Sequence, residues 1–428
     1  KMFEYCFLDR LMIHINENNI LSQNQHGFRS GKSTSTATHA FYNHLIQFIE
    51  TGECPVGIFC DLSRAFDCVD HEILLDKLLS YGVSSNAYAW IKSFLVDRRQ
   101  YVNLTHCNNN TSIVVNSEAL DVNIGIPQGS ILGPVLFTLY LNDLERSFQE
   151  VHFTLYADDT SVIVSDKDDA NLAGYCNVIL KDINEWFLEN QLYLNSEKTS
   201  IIRFHHTQKK LTPLTLTLDE SFLDFDCETK FLGLHLDLNL NFNRHCDYVS
   251  GKLNSMSYGF KNLRTVLNED QLTTLYYAQI ESRLRYCLCF WGCSTNVENV
   301  FISQKRVIRC IAGVSSSYSC KEIFKKFKIL TLPSLYIYEL GLYTFLKKKS
   351  FVLNKEVHGR ETRQVNDIHV PFTKYKLSCR SPNILGPKIL NKLPNYIKEI
   401  STLKQFKAEL KSFLVDKCYY NVCDFIVC

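Results

Sequence analysis

Apolar and polar residues alternate with period two through residues 151–164, on both sides of Asp158-Asp159. Val151, Phe153, Leu155 and Ala157 fall on one face of the first run, and Val162 and Val164 share a face of the second. Strand side chains point alternately to opposite faces, so the pattern predicts a β-hairpin with the two carboxylates at its tip. That tip breaks the usual turn chemistry. Tight hairpin turns favour Asn-Gly or Asp-Gly because their central residues take positive φ. Two adjacent carboxylates with no glycine mark a place where a local rule gives way to function.

The rest of the chain divides by the same criterion. Phe3, Phe7, Leu8, Leu11 and Ile15 form a helical stripe within residues 2–20, and Ala37, Phe41, Leu45 and Phe48 form another within 35–49. Residues 56–61 are a short apolar run ending in Asp61, which predicts a buried strand with a carboxylate at its end. Such a carboxylate is expensive to bury unless it is paired or metal-bound. Asp70 is placed to cap a helix carrying Ile73, Leu74 and Leu78 and ending at Gly82. Residues 101–118, Asn-rich around Asn108–Asn110, read as a hairpin or loop. The glycines and prolines of 125–134 predict a shaped loop open to close approach, with Pro134 in the first turn of a helix carrying Leu136, Leu139 and Tyr140. Leu172, Cys176, Ile179, Ile183 and Trp186 predict a core helix. Residues 194–204 read as a turn holding Lys198 and then a strand, and 231–237 alternate as a further strand. From about residue 240 the pattern is helical, with the stripe Val249, Leu253, Met256, Phe260 and Leu263 and basic residues Lys252, Lys261 and Arg264 around it.

Composition narrows the class. At 428 residues the chain has length for two or three domains, and 46% hydrophobic with 21% charged residues indicates packed globular structure. The formal net charge of +1 means that any basic track for nucleic acid must be local. No apolar run approaches the ~20 residues of a membrane span. The start, Lys1-Met-Phe-Glu-Tyr, has no uninterrupted apolar core, so the 17 cysteines are expected as reduced thiols rather than a disulfide framework. The groups Cys287, Cys289, Cys293 and Cys418, Cys423, Cys428 lack the paired C-x-x-C spacing of zinc sites. Gly31-Lys32-Ser33 is not a phosphate-binding P-loop, because His26 stands where the first glycine is needed.

If the strands ending in Asp61 and beginning near Asp158-Asp159 share one sheet, three carboxylates converge. Hard oxygen donors suit Mg²⁺ or Mn²⁺. Three carboxylates are the minimum set for two divalent ions about 3.5–4 Å apart, clamping the oxygens of an in-line phosphoryl displacement.

Five ordered stretches carry a resemblance. Asp61-Leu-Ser-Arg-Ala-Phe-Asp67, Gly125-Ile-Pro-Gln-Gly-Ser-Ile-Leu-Gly-Pro134, Tyr156-Ala-Asp-Asp159, Leu194-Asn-Ser-Glu-Lys-Thr199 and Phe231-Leu-Gly233 resemble the palm motifs of reverse transcriptases, most of all those of jockey-like, non-LTR (LINE-type) retrotransposons. Gln25-His-Gly-Phe-Arg29 is similar to the same family's fingers region. The resemblance implies an α+β right-hand polymerase. Residues 1–238 would be partial fingers and an antiparallel palm, 239–320 a helical thumb, and 321–428 a helical C-terminal extension.

Residue roles follow from the same resemblance. Asp61, Asp158 and Asp159 would bind Mg²⁺ or Mn²⁺, and Lys198 would help protonate pyrophosphate. Phe66, with Gln128 and Arg29, would contact the incoming dNTP, the Phe66 ring excluding a 2′-hydroxyl. Pro127 and Gly129 would line the template and nascent pair, and Phe231, Leu232 and Gly233 would grip the primer. The partners implied are an RNA template, a DNA primer and dNTPs, with action in nucleus and cytoplasm. A basic segment that precedes the first helix in the family is absent, which with the Lys1 start gives the expectation of an N-terminally truncated copy. Two rivals stand beside RNA-directed DNA synthesis. One is an inactive remnant that retains nucleic-acid binding. The other is an RNA-dependent RNA polymerase, against which Phe66 speaks.

Overall fold

The computed structural model describes residues 1–108, 111–148, 151–206, 214–218, 221–357 and 364–427. Asn109, Asn110 and Cys428, named above, lie outside the described residues. The chain forms two compact units: Lys1–His44, Pro55–Arg203 and Leu211–Asp226 in the first, and Leu45–Cys54, Phe204–Lys210 and Cys227–Cys428 in the second. Helices and antiparallel sheets are mixed, the α+β class that the sequence implies.

In the first unit, α1 (Met2–Glu17) and α2 (Thr34–Thr51, which runs on into the second unit) precede β1 (Val56–Cys60). Then come α3 (His71–Ser80), α4 (Ser85–Leu95), the short strands β2 (Arg98–Gln100), β3 (Asn103–Asn108), β4 (Thr111–Asn116) and β5 (Leu120–Val122), and α5 (Gly133–Tyr140). The hairpin β6 (His152–Tyr156) and β7 (Asp159–Val164) leads to α6 (Asp169–Glu189) and β8 (Ser200–Arg203), and β9 (Leu216–Leu218) with β10 (Ser221–Leu223) follows.

The main sheet has the order β6-β7-β1-β8 and is antiparallel throughout. Its central strands are buried: Val56 and Ile58 of β1 and Val162, Ile163 and Val164 of β7 are all in the core. They pack with Leu136, Phe137 and Tyr140 of α5 and with Leu172, Leu180, Ile183 and Phe187 of α6 in one core. Asp70 caps α3 by accepting from the Glu72 and Ile73 amides, both at 2.9 Å. Lys77 fastens α3 to α5: its ammonium donates to the Tyr140 carbonyl at 2.8 Å, pairs with Asp143 at 2.6 Å and lies 4.6 Å from the Trp186 ring centroid.

The second unit holds β11 (Glu228–Phe231), β12 (Leu234–Asp237) and a helical remainder. That remainder begins with α7 (Asn243–Leu263) and α8 (Glu269–Tyr276) and includes helices Val297–Ala312, Leu332–Leu346 and Leu403–Lys417. The single strand read over residues 231–237 is instead a hairpin. Phe231 pairs with Leu234, and Leu232 (φ 46°) and Gly233 (φ 87°) make a two-residue turn. Two positive-φ residues match the right-handed twist of the flanking strands, and apolar alternation continues through the turn, which hides it from the pattern. Among the described residues no helix is long and apolar enough to cross a membrane, and the described cysteines form no disulfide.

Candidate active site

Strand register decides where the carboxylates go. Cys60 pairs with Thr160 at the end of the β1–β7 ladder, so the next step brings Asp61 opposite Asp159. On the other side of β1, Phe59 pairs with Ser200, and the turn before β8 brings Lys198 alongside Asp61, with Nζ 4.0 Å from Oδ2. The Asp61 carbonyl accepts from Asn195 N at 2.8 Å, and Asn195 in turn closes the Lys198 turn by accepting from Lys198 N and Thr199 N. Asp61, Asp159 and Lys198 therefore share one end of the sheet.

The hairpin tip differs by one residue from the pattern expected. Tyr156 pairs with Asp159, so the turn is Ala157-Asp158 and Asp159 already opens β7. Positive φ falls on Ala157 (57°). The Asp159 carboxyl is held above its ordinary value, first by burial around it and then by the Asp158 and Asp61 carboxylates. Asp159 thus feels the negative charge of both Asp158 and Asp61.

Oxygen-only donors on adjacent strand ends suit Mg²⁺ or Mn²⁺. Among the described residues no group of three or more His, Cys, Asp or Glu side chains is placed so that it could by itself hold a metal ion. That is compatible with Mg²⁺, which in phosphoryl-transfer sites takes one or two carboxylates plus substrate oxygens and water rather than an all-protein cage. Mutual carboxylate repulsion is the property that a divalent cation relieves.

Beside these groups, the 65–71 and 124–128 segments are zipped together. Gly125 N donates to Val69 O at 2.7 Å, Ile126 N to Phe66 O at 2.9 Å, and His71 Nε2 meets Gly125 O at 2.8 Å. Gly125 (φ 84°) allows this, since a Cβ there would come within 2.8 Å of Asp67 O. Within the zipper, Gln128 Nε2 donates to Asp67 Oδ1 at 3.0 Å. Phe66 is half-buried and stacks on Phe137, while Gln128, Pro127 and Gly125 line a cleft of about 680 Å³ together with Asp67, Arg98 and Asp121. Gly129 (φ 75°) has open space beside it, and Pro127 O accepts from Ser130 N at 3.2 Å. Glu4 of α1 steadies this loop by accepting from Ile131 N at 2.9 Å. Burial alone would raise the Glu4 carboxyl, but this bond and the chain's amino terminus hold it lower than usual.

Arg29 sits in the loop after α1, where its Nη1 donates to Ser22 O at 2.5 Å, and Lys32 Nζ donates to Gln23 O at 2.8 Å. Burial first, then Arg29, lowers the Lys32 ammonium. His26, buried against Thr36 Oγ1 at 2.8 Å, is pushed down to about 4 by burial, Lys32 and Arg29. Phe231, Leu232 and Gly233 lie in the second unit, where Tyr286 donates its hydroxyl to Leu232 O. The sequence reading missed Asp67, His71 and Glu4. Their roles depend on which segments pair in space, and only the first falls inside a stretch that had been singled out.

The family described as reverse transcriptase (RNA-dependent DNA polymerase) matches residues 1–236, and the chain belongs to it. Among its relatives are a probable RNA-directed DNA polymerase from transposon BS of Drosophila melanogaster and an RNA-directed DNA polymerase from mobile element jockey of Drosophila funebris. The first is 29% identical over 328 residues, and the match covers 73% of this chain and 35% of that protein. The second is 26% identical over 332 residues, covering 73% and 34%. The chain spans about a third of the length of these relatives. The structure of telomerase from Candida albicans with a fragment of telomeric RNA is similar at a TM-score of 0.38 and 12% identity, covering 96% of this chain and 57% of that one.

Proposed function

We propose that this chain is the RNA-directed DNA polymerase of a non-LTR retrotransposon, joining dNTPs to a primer 3′-hydroxyl on an RNA template. The observation that carries the reading is the meeting of Asp61, Asp159 and Lys198 at one sheet end, beside the Asp158 turn, in a chain of this family. Residues 1–238 are read as partial fingers and palm, 239–320 as thumb, and 321–428 as a C-terminal extension. Action in nucleus and cytoplasm belongs to the same reading.

Asp61, Asp158 and Asp159 would hold Mg²⁺ or Mn²⁺. When bound, the metal supplies Lewis-acid activation of the primer hydroxyl and neutralises charge on the triphosphate. The chain's own groups do the rest. Lys198 donates a proton to the departing pyrophosphate. Phe66, backed by Phe137, closes the space beside C2′ of the sugar. Gln128, its amide oriented by Asp67, and Arg29 bind the nucleotide. Pro127 and Gly129 bound the nascent pair and template, and Phe231, Leu232 and Gly233 hold the primer end. Lysines and arginines of the helical unit contact the duplex backbone, so binding falls steeply with salt.

Primer extension on an RNA template with dNTPs and Mg²⁺, with Asp158→Asn beside it, tests the proposal. Extension that is lost in the variant supports it. Extension retained by Asp158→Asn overturns the site assignment. Salt-sensitive primer–template binding without extension points to the inactive, nucleic-acid-binding remnant.

A further inference from the structure

Gln25 lies about 130 residues before the Asp158 turn, yet it is built into that turn. Residues 24–26 run parallel to the free edge of β6: Leu155 N donates to Asn24 O at 2.9 Å and His26 N donates to Leu155 O at 2.8 Å. This places the Gln25 side chain, 2% exposed, under the hairpin tip. Its Oε1 accepts from Gly27 N at 2.7 Å and from Ala157 N at 3.2 Å. Ala157 is the residue that takes positive φ, which an L side chain adopts reluctantly, and it directly precedes Asp158. Gly27 completes the fit, because a Cβ there would collide with Ala157 N. Gln25 Nε2 is buried and has no hydrogen-bond partner among the described residues. A buried donor left unpaired is a cost that a position kept for packing alone would shed by carrying an apolar residue.

We propose that Gln25 is a positioning residue for the Asp158 carboxylate: its carboxamide oxygen fixes the left-handed Ala157 backbone and so aims Asp158 into the space shared with Asp61 and Asp159. The inference rests on the polymerase reading, since Asp158 is taken as a metal ligand. Gln25 touches neither nucleotide nor metal and acts through one backbone N–H. Residues that orient first-sphere ligands typically change metal affinity by roughly 10- to 100-fold when lost.

The test uses the full chain and Mn²⁺ as probe, followed by electron paramagnetic resonance titration, with the Mg²⁺ dependence of primer extension and thermal melting measured on the same samples. Gln25→Met keeps the length and removes the acceptor. Gln25→Met is expected to weaken Mn²⁺ binding by roughly tenfold or more and to raise the Mg²⁺ needed for half-maximal extension in step, with primer–template affinity unchanged. Ala157→Gly, which takes positive φ freely, should return part of the loss when added to Gln25→Met. Should Gln25→Met fail to melt cooperatively, Gln25→Asn, which withdraws the carboxamide by one methylene, carries the same expectation. Wild-type Mn²⁺ affinity in Gln25→Met, alongside its loss in Asp158→Asn, overturns the role of Gln25 and leaves the polymerase reading standing. Unchanged affinity in Asp158→Asn overturns both.

Discussion

The ring of Phe66 lies on the ring of Phe137, with centroids 4.3 Å apart and planes 23° from parallel. Phe137 is fully buried in α5, so it is a fixed backing plate, and Phe66 has little room to move toward it. Phe66→Val should therefore do two separable things. It should cost about 1–2 kcal/mol of stability through lost stacking and a partial cavity. It should also lower the ratio of kcat/KM for dNTP over rNTP by roughly tenfold or more, because a specificity ratio reflects differential fit at the reacting centre. Steady-state incorporation of matched dNTP and rNTP pairs measures the second effect. Unchanged sugar discrimination would remove the gate role from Phe66.

Lys198 and Asp61 make an ion pair at 4.0 Å with side chains 70% and 44% exposed. Exposed pairs at such distance add little to stability. Lys198→Ala should thus leave the melting temperature within about 2 °C while slowing single-turnover extension by roughly a hundredfold, the usual scale for a lost general acid. A large drop in melting temperature with extension intact would make Lys198 a structural residue.

Much of this arrangement was legible in the residues, and the remainder was hidden for physical reasons. Period-two alternation located β6 and β7, and a short continuous apolar run located β1, as expected of a strand buried on both faces. It could not locate the turn between β11 and β12, since nothing in Leu232 announces positive φ and Phe231 and Leu234 both remain apolar. Alternation likewise put Asp158-Asp159 at the hairpin tip, yet the turn centres one residue earlier, where Ala157 N donates to Gln25, far away in sequence. The joining of the Phe66 and Gln128 segments follows the same rule. Each residue lay in a stretch already singled out, but their meeting depends on bonds such as Ile126 N to Phe66 O that only the folded chain makes.

Raised affinity for a proton at Asp159 implies a cost in the folded chain. A carboxyl whose folded value exceeds its unfolded one contributes stability at low pH and loses it as pH rises through the folded value. At neutral pH the ionised Asp159 of the metal-free chain is therefore disfavoured, first by its partial burial and then by the Asp158 and Asp61 charges. Asp159→Asn should raise the melting temperature in chelator by a small amount, on the order of 2 °C. Addition of Mg²⁺ should stabilise the wild type more than this variant. Equal Mg²⁺ shifts in both would argue against Asp159 as a ligand.

His245 carries the opposite sign. It is buried in α7 with ring centroids 5.6 Å from Trp291 and 6.0 Å from His235, and burial first, then His235, pushes it down to about 4. A depressed histidine contributes stability above its unfolded value near 6.5 and loses it as pH falls toward the folded one. At pH 5 the unfolded chain binds a proton there that the folded chain does not, a penalty on the order of 1–2 kcal/mol for this residue alone. His26 in the first unit, also pushed down to about 4, adds a similar acid sensitivity through burial beside Lys32 and Arg29. Urea unfolding at pH 7 and pH 5, followed by Trp fluorescence, should show the midpoint falling on acidification in the wild type. His245→Gln should lower the pH 7 midpoint through lost packing and flatten the decline to pH 5. A decline as steep in His245→Gln as in the wild type would show that other groups govern acid unfolding of the helical unit.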